Sequence, residues 1–239
     1  MNIYTPLEGA ISLHWVIQAS LLAGFLLVAG GLVIRRQIAR ADGGVVPDEG
    51  FSLRNIVEVL VEMLANLAED RIGPDWRKYF PIVATLFFFI LISNLMGLLP
   101  GVGGATADAN TTWAWAVIAW IVYTAVGIRK HKLNYLVKFM GPSFFEKEIG
   151  GRTVHFRMLI PIFFPLEILL DFARMLTLSV RLLANMYADH VVIAVWLSLV
   201  PIGVPAIFMG LGLIIAFLQA FVFALLTMIY IGLALEEPH

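Results

Sequence analysis

The 239-residue chain contains no cysteine, which excludes disulfides, thiolate metal sites and a cysteine nucleophile. Charge is equally scarce: Asp, Glu, Lys and Arg make up 14% of the residues, against about 25% in a soluble domain. The net charge of −1 leaves no basic surface for a nucleic-acid partner. Repeats, low-complexity tracts, metal-ligand spacings and cofactor motifs are absent, and no polar segment is long enough to fold a nucleotide site. Between residues 191 and 235 there is not one Asp, Glu, Lys or Arg. What is present is apolar, 60% of the chain being hydrophobic. That is the composition of an integral membrane protein.

Residues 13–34 are apolar and long enough to span, at about 20 residues. The run lacks a basic stretch before it and a cleavage site after it, so it reads as a retained helix and not a signal peptide. Arg35, Arg36 and Arg40 follow, which places its end in the cytoplasm and the N-terminus outside. His14 lies near the outer end. Residues 41–50 are a linker of turn formers. Beyond it, Ile56, Val59, Leu60, Met63, Leu64 and Leu67 alternate with Arg54, Glu58, Glu62 and Glu69 at helical period. This stretch is too charged to span and predicts an amphipathic helix, on the cytoplasmic surface or against a partner; a solvated connecting helix is the alternative.

Residues 79–99 carry no charged side chain and run outward, with Asn94 near the outer end before a Pro100–Gly101 break. The following loop has one charge, Asp108, and no Lys or Arg, as an outside loop should. Residues 112–128 span back to Arg129, Lys130, His131 and Lys132, and Lys138, Lys147, Arg152 and Arg157 keep the next segment on the cytoplasmic side. Two long arms follow. Residues 158–200 would extend about 65 Å as a helix and residues 206–235 about 45 Å, against a hydrocarbon core of about 30 Å. Pro161 and Pro165 are expected to trim the first arm, and PIGVP at 201–205 makes the turn. Neither arm can stand upright, which predicts a strongly inclined hairpin built to lie alongside something else.

The expected architecture is an all-α integral membrane protein forming one membrane domain over 1–239. Its parts are an upright N-terminal helix (1–40), an amphipathic surface helix (51–70), an upright transmembrane hairpin (79–128), a cytoplasmic connection (129–157) and the inclined hairpin (158–235).

The chemistry concentrates in residues 166–190, LEILLDFARMLTLSVRLLANMYADH. Glu167, Asp171, Arg174, Arg181, Asn185 and Asp189 follow at steps of 4, 3, 7, 4 and 4, so one helix face carries them all. An ionisable group inside a membrane is costly and normally faces protein or a water-filled cavity. Arg181 stands out, because guanidinium cannot neutralise itself and no acid lies one turn away in either direction. Asp189 and His190 lie toward the outside, Glu167 and Asp171 toward the cytoplasm, and the opposing arm offers Gln219, Thr227 and Tyr230. Carboxylates and a histidine can relay protons, whereas a fixed cation between them repels protons and breaks a continuous wire. Two half-paths divided by Arg181 fit a device whose circuit is completed by a mobile carboxylate on a partner. Structural readings stand beside this one. Arg174 can pair with Asp171 or Glu167, Asn94 can be a turn former, and Gln219 can be interhelical glue.

LSVRLLANMYADH followed by FLQAFVFALLTMIYIGLALEE resembles the most characteristic part of subunit a of F-type ATP synthases, and SNLMGLLPG, TADANTT and GIRKH agree with it. The resemblance covers nearly all of the chain from about residue 79 onward. It implies that Arg181 faces a rotating ring of c subunits and separates two half-channels, and that Asn185 and Gln219 are its polar partners. Glu167 and Asp171 would belong to the cytoplasmic half-channel, and Asn94, Asp108, Asp189 and His190 to the outer one. Partners would be the c-ring, peripheral-stalk subunit b, the remaining ATP synthase subunits and membrane lipid. No cofactor, metal or nucleotide site is implied, the ATP chemistry lying in the soluble sector. One departure concerns the outer relay. Many bacterial members carry a glutamate at the position of His190; mitochondrial members pair a histidine there with an acid on the last helix. Here that second-arm position is Gly212, which leaves Asp189 to supply the acid. A bacterial inner membrane is expected, with a cytoplasmic C-terminus. A stand-alone ion transporter or channel is the alternative function, and a structural scaffold a third class; a transporter would call for a repeat or broken helices in both halves.

Overall fold

The computed structural model describes residues 15–40, 52–99, 104–132, 145–149, 152–156, 160–200 and 203–236. His14, the 41–50 linker, Pro100, Gly101, Lys138 and Arg157 lie outside these. Among the described residues six long helices dominate: α1 (Trp15–Arg40), α2 (Leu53–Ile72), α3 (Trp76–Leu98), α4 (Ala109–His131), α5 (Ile160–Leu199) and α6 (Val204–Leu235). All but α2 are long and apolar enough to cross a membrane. A short 3₁₀ turn at Ala105–Ala107 precedes α4. An antiparallel hairpin, β1 (Phe145–Ile149) with β2 (Arg152–Phe156), lies in the connection before α5, Phe145 opposite Phe156 and Ile149 opposite Arg152.

Each helix shows why it forms and what it covers. On α1 the buried residues Val16, Ala19 and Ala23 recur at steps of three and four, so a single narrow stripe meets α3 and the 3₁₀ turn. Most of its other side chains face outward, Phe25 being 67% exposed, which lipid tolerates as water would not. Ser52 caps α2, its Oγ accepting from the Arg54 amide at 3.3 Å, one of the donors a helix start leaves unsatisfied. Leu64, Ala68 and Ile72 of α2 are buried in the main core, against α3 and α6. The second half of α2 is therefore packed, not a solvated connector, while Leu53, Ile56 and Val59 leave an apolar face exposed on its first half.

The core lies between α3, α4, α6 and the inner face of α5. Lipid tails are as apolar as leucine, so helices in a membrane associate through close packing and hydrogen bonds, with small residues at the contacts. In α6 the buried Gly212, Ala216, Ala220, Ala224, Met228 and Gly232 recur every fourth residue. This ladder of mostly small side chains lets α3 and α4 approach closely. Around it stand the large buried residues Leu86, Phe87, Ile90, Leu182 and Phe223.

The two arms pack together as the hairpin expected from the sequence. At 40 and 32 residues they would be about 60 and 48 Å long. One expectation fails. α5 begins at Ile160 and continues through Pro165, because a proline this close to a helix start removes only one backbone bond there.

Candidate functional site

Within α5 the buried residues Asp171, Leu178, Ser179, Leu182, Met186 and Ile193 form a stripe against α4 and α6, and the polar face predicted from the sequence borders it. Asp171 and Arg181 are about 15 Å apart along the helix axis, and Arg181 and Asp189 about 12 Å. The polar groups therefore fall into three levels.

At the level of Asp171, Arg174 Nη1 lies 2.8 Å from Asp171 Oδ1, and the guanidinium sits over the Tyr230 ring at 5.4 Å from its centroid. Tyr230 in turn lies against Tyr123 of α4, with ring centroids 5.5 Å apart. Arg174 thus has the ion-pair role that the sequence left open, and its carboxylate is that of Asp171. Glu167, one turn earlier, is half-buried and engaged in an interaction of its own.

At the middle level, Asn185 Nδ2 donates to Gln219 Oε1 at 2.8 Å, joining the two arms. Gln219 is 5% exposed, and its Nε2 is buried with no acceptor among the described residues. Arg181, one turn before Asn185, is half-buried. It has no ion-pair or hydrogen-bond partner among the described residues, whereas Arg174 and Arg54 both have carboxylates.

At the level of Asp189 two neighbouring residues diverge. His190 Nε2 lies 2.7 Å from the Gly97 carbonyl of α3; a carbonyl can only accept, so Nε2 carries the proton in this contact. Asp189 turns instead to α6, where a β-carbon on Gly212 would stand 3.7 Å from its Oδ2. That oxygen is buried and has no hydrogen-bond partner among the described residues. The split follows from the 100° between successive helical residues. Both glycines sit where the neighbouring side chains are close. A β-carbon on Gly97 would collide with Met186 and crowd the His190 ring, and one on Gly212 would come within 2.5 Å of Leu98.

Asn94 is not a turn residue. It is fully buried within α3, its Nδ2 donating to the Ala216 carbonyl of α6 at 3.3 Å and its Oδ1 accepting from Thr106 Oγ1 at 2.8 Å. Asp108 caps α4, its Oδ1 accepting from the Asn110 amide at 2.8 Å. Thr227 spends its hydroxyl on the Phe223 carbonyl of its own helix at 2.9 Å, which removes it from the polar face. Thr106 was missed in the sequence, although it lies inside TADANTT. So was the pair formed by Ser179 Oγ and Thr112 Oγ1, 3.2 Å apart, for which no local pattern exists. Among the described residues no three His, Asp or Glu side chains are grouped to hold a metal.

Helices of membrane-crossing length, closed by a hairpin that brings ionisable and amide groups together inside its apolar arms, define a polytopic membrane protein. The sequence matches the family described as ATP synthase A chain over residues 17–232. It is 39% identical to ATP synthase subunit a 1 of Syntrophotalea carbinolica, over 90% of this chain and 82% of that one. It is 38% identical to ATP synthase subunit a of Bdellovibrio bacteriovorus, over 91% and 90%. A third relative, ATP synthase subunit a of Geobacter sulfurreducens, is 41% identical over 78% and 76%. The chain belongs to the ATP synthase A chain family. It is a membrane component of ATP synthase, serving proton transport coupled to ATP synthesis, with other subunits of that complex as its partners.

Proposed function

We propose that this chain is the stator half of the proton path, carrying protons through two half-channels to and from the carboxylates of a rotating c-ring, with Arg181 keeping the two apart. The observation that carries the reading is a half-buried arginine without a partner among the described residues, midway between two polar levels and beside the Asn185–Gln219 bridge. A ring carboxylate arriving within about 4 Å of that guanidinium would be favoured in its ionised form by about 4 kcal/mol at an effective dielectric of about 20. That is enough to drive its proton into the exit path. The same positive charge opposes a proton crossing directly between the half-channels.

In this reading Asp189, His190 and Asn94 serve the outer half-channel, with Asp108 at its mouth, and Glu167 and Asp171 serve the cytoplasmic one. Asp189, beside Gly212, takes the place of the acid that mitochondrial relatives are expected to carry on the last helix. Arg35, Arg36, Arg77, Lys78, Arg129 and Lys130 gather at helix ends that this topology puts in the cytoplasm, in keeping with the positive-inside rule. The N-terminus is then outside and the membrane is a bacterial inner membrane. Peripheral-stalk subunit b is a further partner.

The test is ATP-driven pumping and passive leak in vesicles carrying the whole complex with Arg181→Ala, assembly being verified first. Loss of pumping with leak unchanged or raised is expected. Pumping at the normal rate would refute the reading, and Arg181→Lys replaces the variant should assembly fail.

A further inference from the structure

Hydroxyls inside apolar helices usually satisfy themselves on their own backbone. Ser20, Thr85, Thr177 and Thr227 each donate to the carbonyl four residues earlier, at 2.7–2.9 Å, a local bond that costs no neighbour anything. Ser179 departs from this pattern. Its Oγ reaches across to Thr112 Oγ1 of α4 at 3.2 Å, and Thr112 in turn donates to the Ala109 carbonyl at 3.0 Å. Both side chains are essentially inaccessible, at 1% and 0% exposure. The arrangement is directional: Ser179 donates, and Thr112 accepts and donates its own hydroxyl to the Ala109 carbonyl.

The place of this bond on the helix gives it a consequence. At 100° per residue, and starting from Arg181, one meets Asn185 at about 40° and then the packed residues Leu178, Leu182 and Met186. Ser179 lies at about 160°, on the far border of the packed stripe. One border is tied to α6 by Asn185–Gln219 and the other to α4 by Ser179–Thr112. Beside Arg181 itself, between these borders, lie the apolar contacts of Leu178, Leu182 and Met186, which are non-directional and resist rolling of the helix weakly. The other directional contacts, Arg174 over Tyr230 and His190 on the Gly97 carbonyl, lie about 10 and 14 Å away along the axis.

We propose that Ser179 and Thr112 are positioning residues that set the azimuth of Arg181, their hydroxyl bond pinning the α4 edge of α5 while the amide bridge pins the α6 edge. The proposal rests on the role assigned to Arg181 above. Without the pin, the stretch of α5 around Arg181 rolls between its remaining contacts, and the guanidinium swings away from the line along which ring carboxylates pass.

Two readouts on the assembled complex test this. The first is protons pumped per ATP hydrolysed. The second is the distance between spin labels on Leu176→Cys of α5 and Val117→Cys of α4, both outward-facing positions, in an otherwise cysteine-free complex. Ser179→Ala is expected to broaden the distance distribution, the rolled population rising about threefold, as losing an average interhelical hydrogen bond in a membrane brings, and to lower the pumping ratio. Ser179→Thr, which keeps the hydroxyl, restores both. Unchanged distances overturn the proposal, as does a shifted distribution with normal pumping. Should Ser179→Ala not assemble, Thr112→Val removes the acceptor from the other side and carries the same expectations. The reading of Arg181 is judged separately by Arg181→Ala, whose distance distribution should stay as in the parent protein.

Discussion

The buried amide of Asn94 ties three parts of the fold together: its own helix, the 3₁₀ turn through Thr106, and α6 through the Ala216 carbonyl. Asn94→Leu removes both bonds and leaves the buried Thr106 hydroxyl without its acceptor. Interhelical hydrogen bonds in membrane proteins contribute about 0.6 kcal/mol each, and a buried orphaned donor costs about 1–3 kcal/mol. The expected loss is therefore about 2 kcal/mol. Thr106→Val is close in shape and removes one bond while orphaning one amide lone pair, so it should cost about 1–1.5 kcal/mol. In the double variant nothing is left orphaned on that side. Its loss should stay near about 2 kcal/mol, below the sum of the single losses by about 1 kcal/mol, a coupling of the size that groups in direct contact show. The measurement is a double-mutant cycle of reversible denaturation in detergent, with pumping in vesicles followed alongside. Because Ala216 stands one turn from Gln219, Asn94→Leu should also slow pumping more than Thr106→Val does. Strict additivity, or a loss under about 0.5 kcal/mol for Asn94→Leu, would refute the idea that this amide holds these parts together.

Three further outcomes follow from the geometry. Asp189→Asn should lower ATP-driven pumping by at least about tenfold, followed by quenching of a pH-sensitive dye in vesicles, whereas Asp189→Glu, which keeps the carboxyl group, should retain most of it. Gly97→Ala places a methyl group against Met186 and the His190 ring; it should cost about 1–3 kcal/mol through overpacking, read as a lower thermal midpoint of the purified complex together with slower pumping. Thr227→Val should change stability by less than about 0.5 kcal/mol and leave pumping within about twofold of normal, because that hydroxyl serves only its own helix; a large loss of pumping would return Thr227 to the proton path.

The spans, the scarcity of charge and the single polar face on α5 are properties of neighbouring residues, so periodicity and composition alone determined them. Family membership was legible for the same reason: Arg181, Asn185 and Gln219 sit in runs whose residue order is itself characteristic. Tertiary structure decided what each polar group does. Asp189 and His190 are adjacent in sequence, yet one meets α6 and the other α3, and only the packing of α5 between those helices sorts them. Asn94 stood before a proline and a glycine, a local pattern for a turn. Its partners, however, lie 12 and 122 residues away, beyond the reach of any local signal. Ser179 carried no sign at all. A helical serine can satisfy itself on its own backbone or reach a neighbour, and the choice depends on whether another helix presents an acceptor at that height and angle. Helical period says which residues share a face; only the assembled bundle determines which way that face is turned.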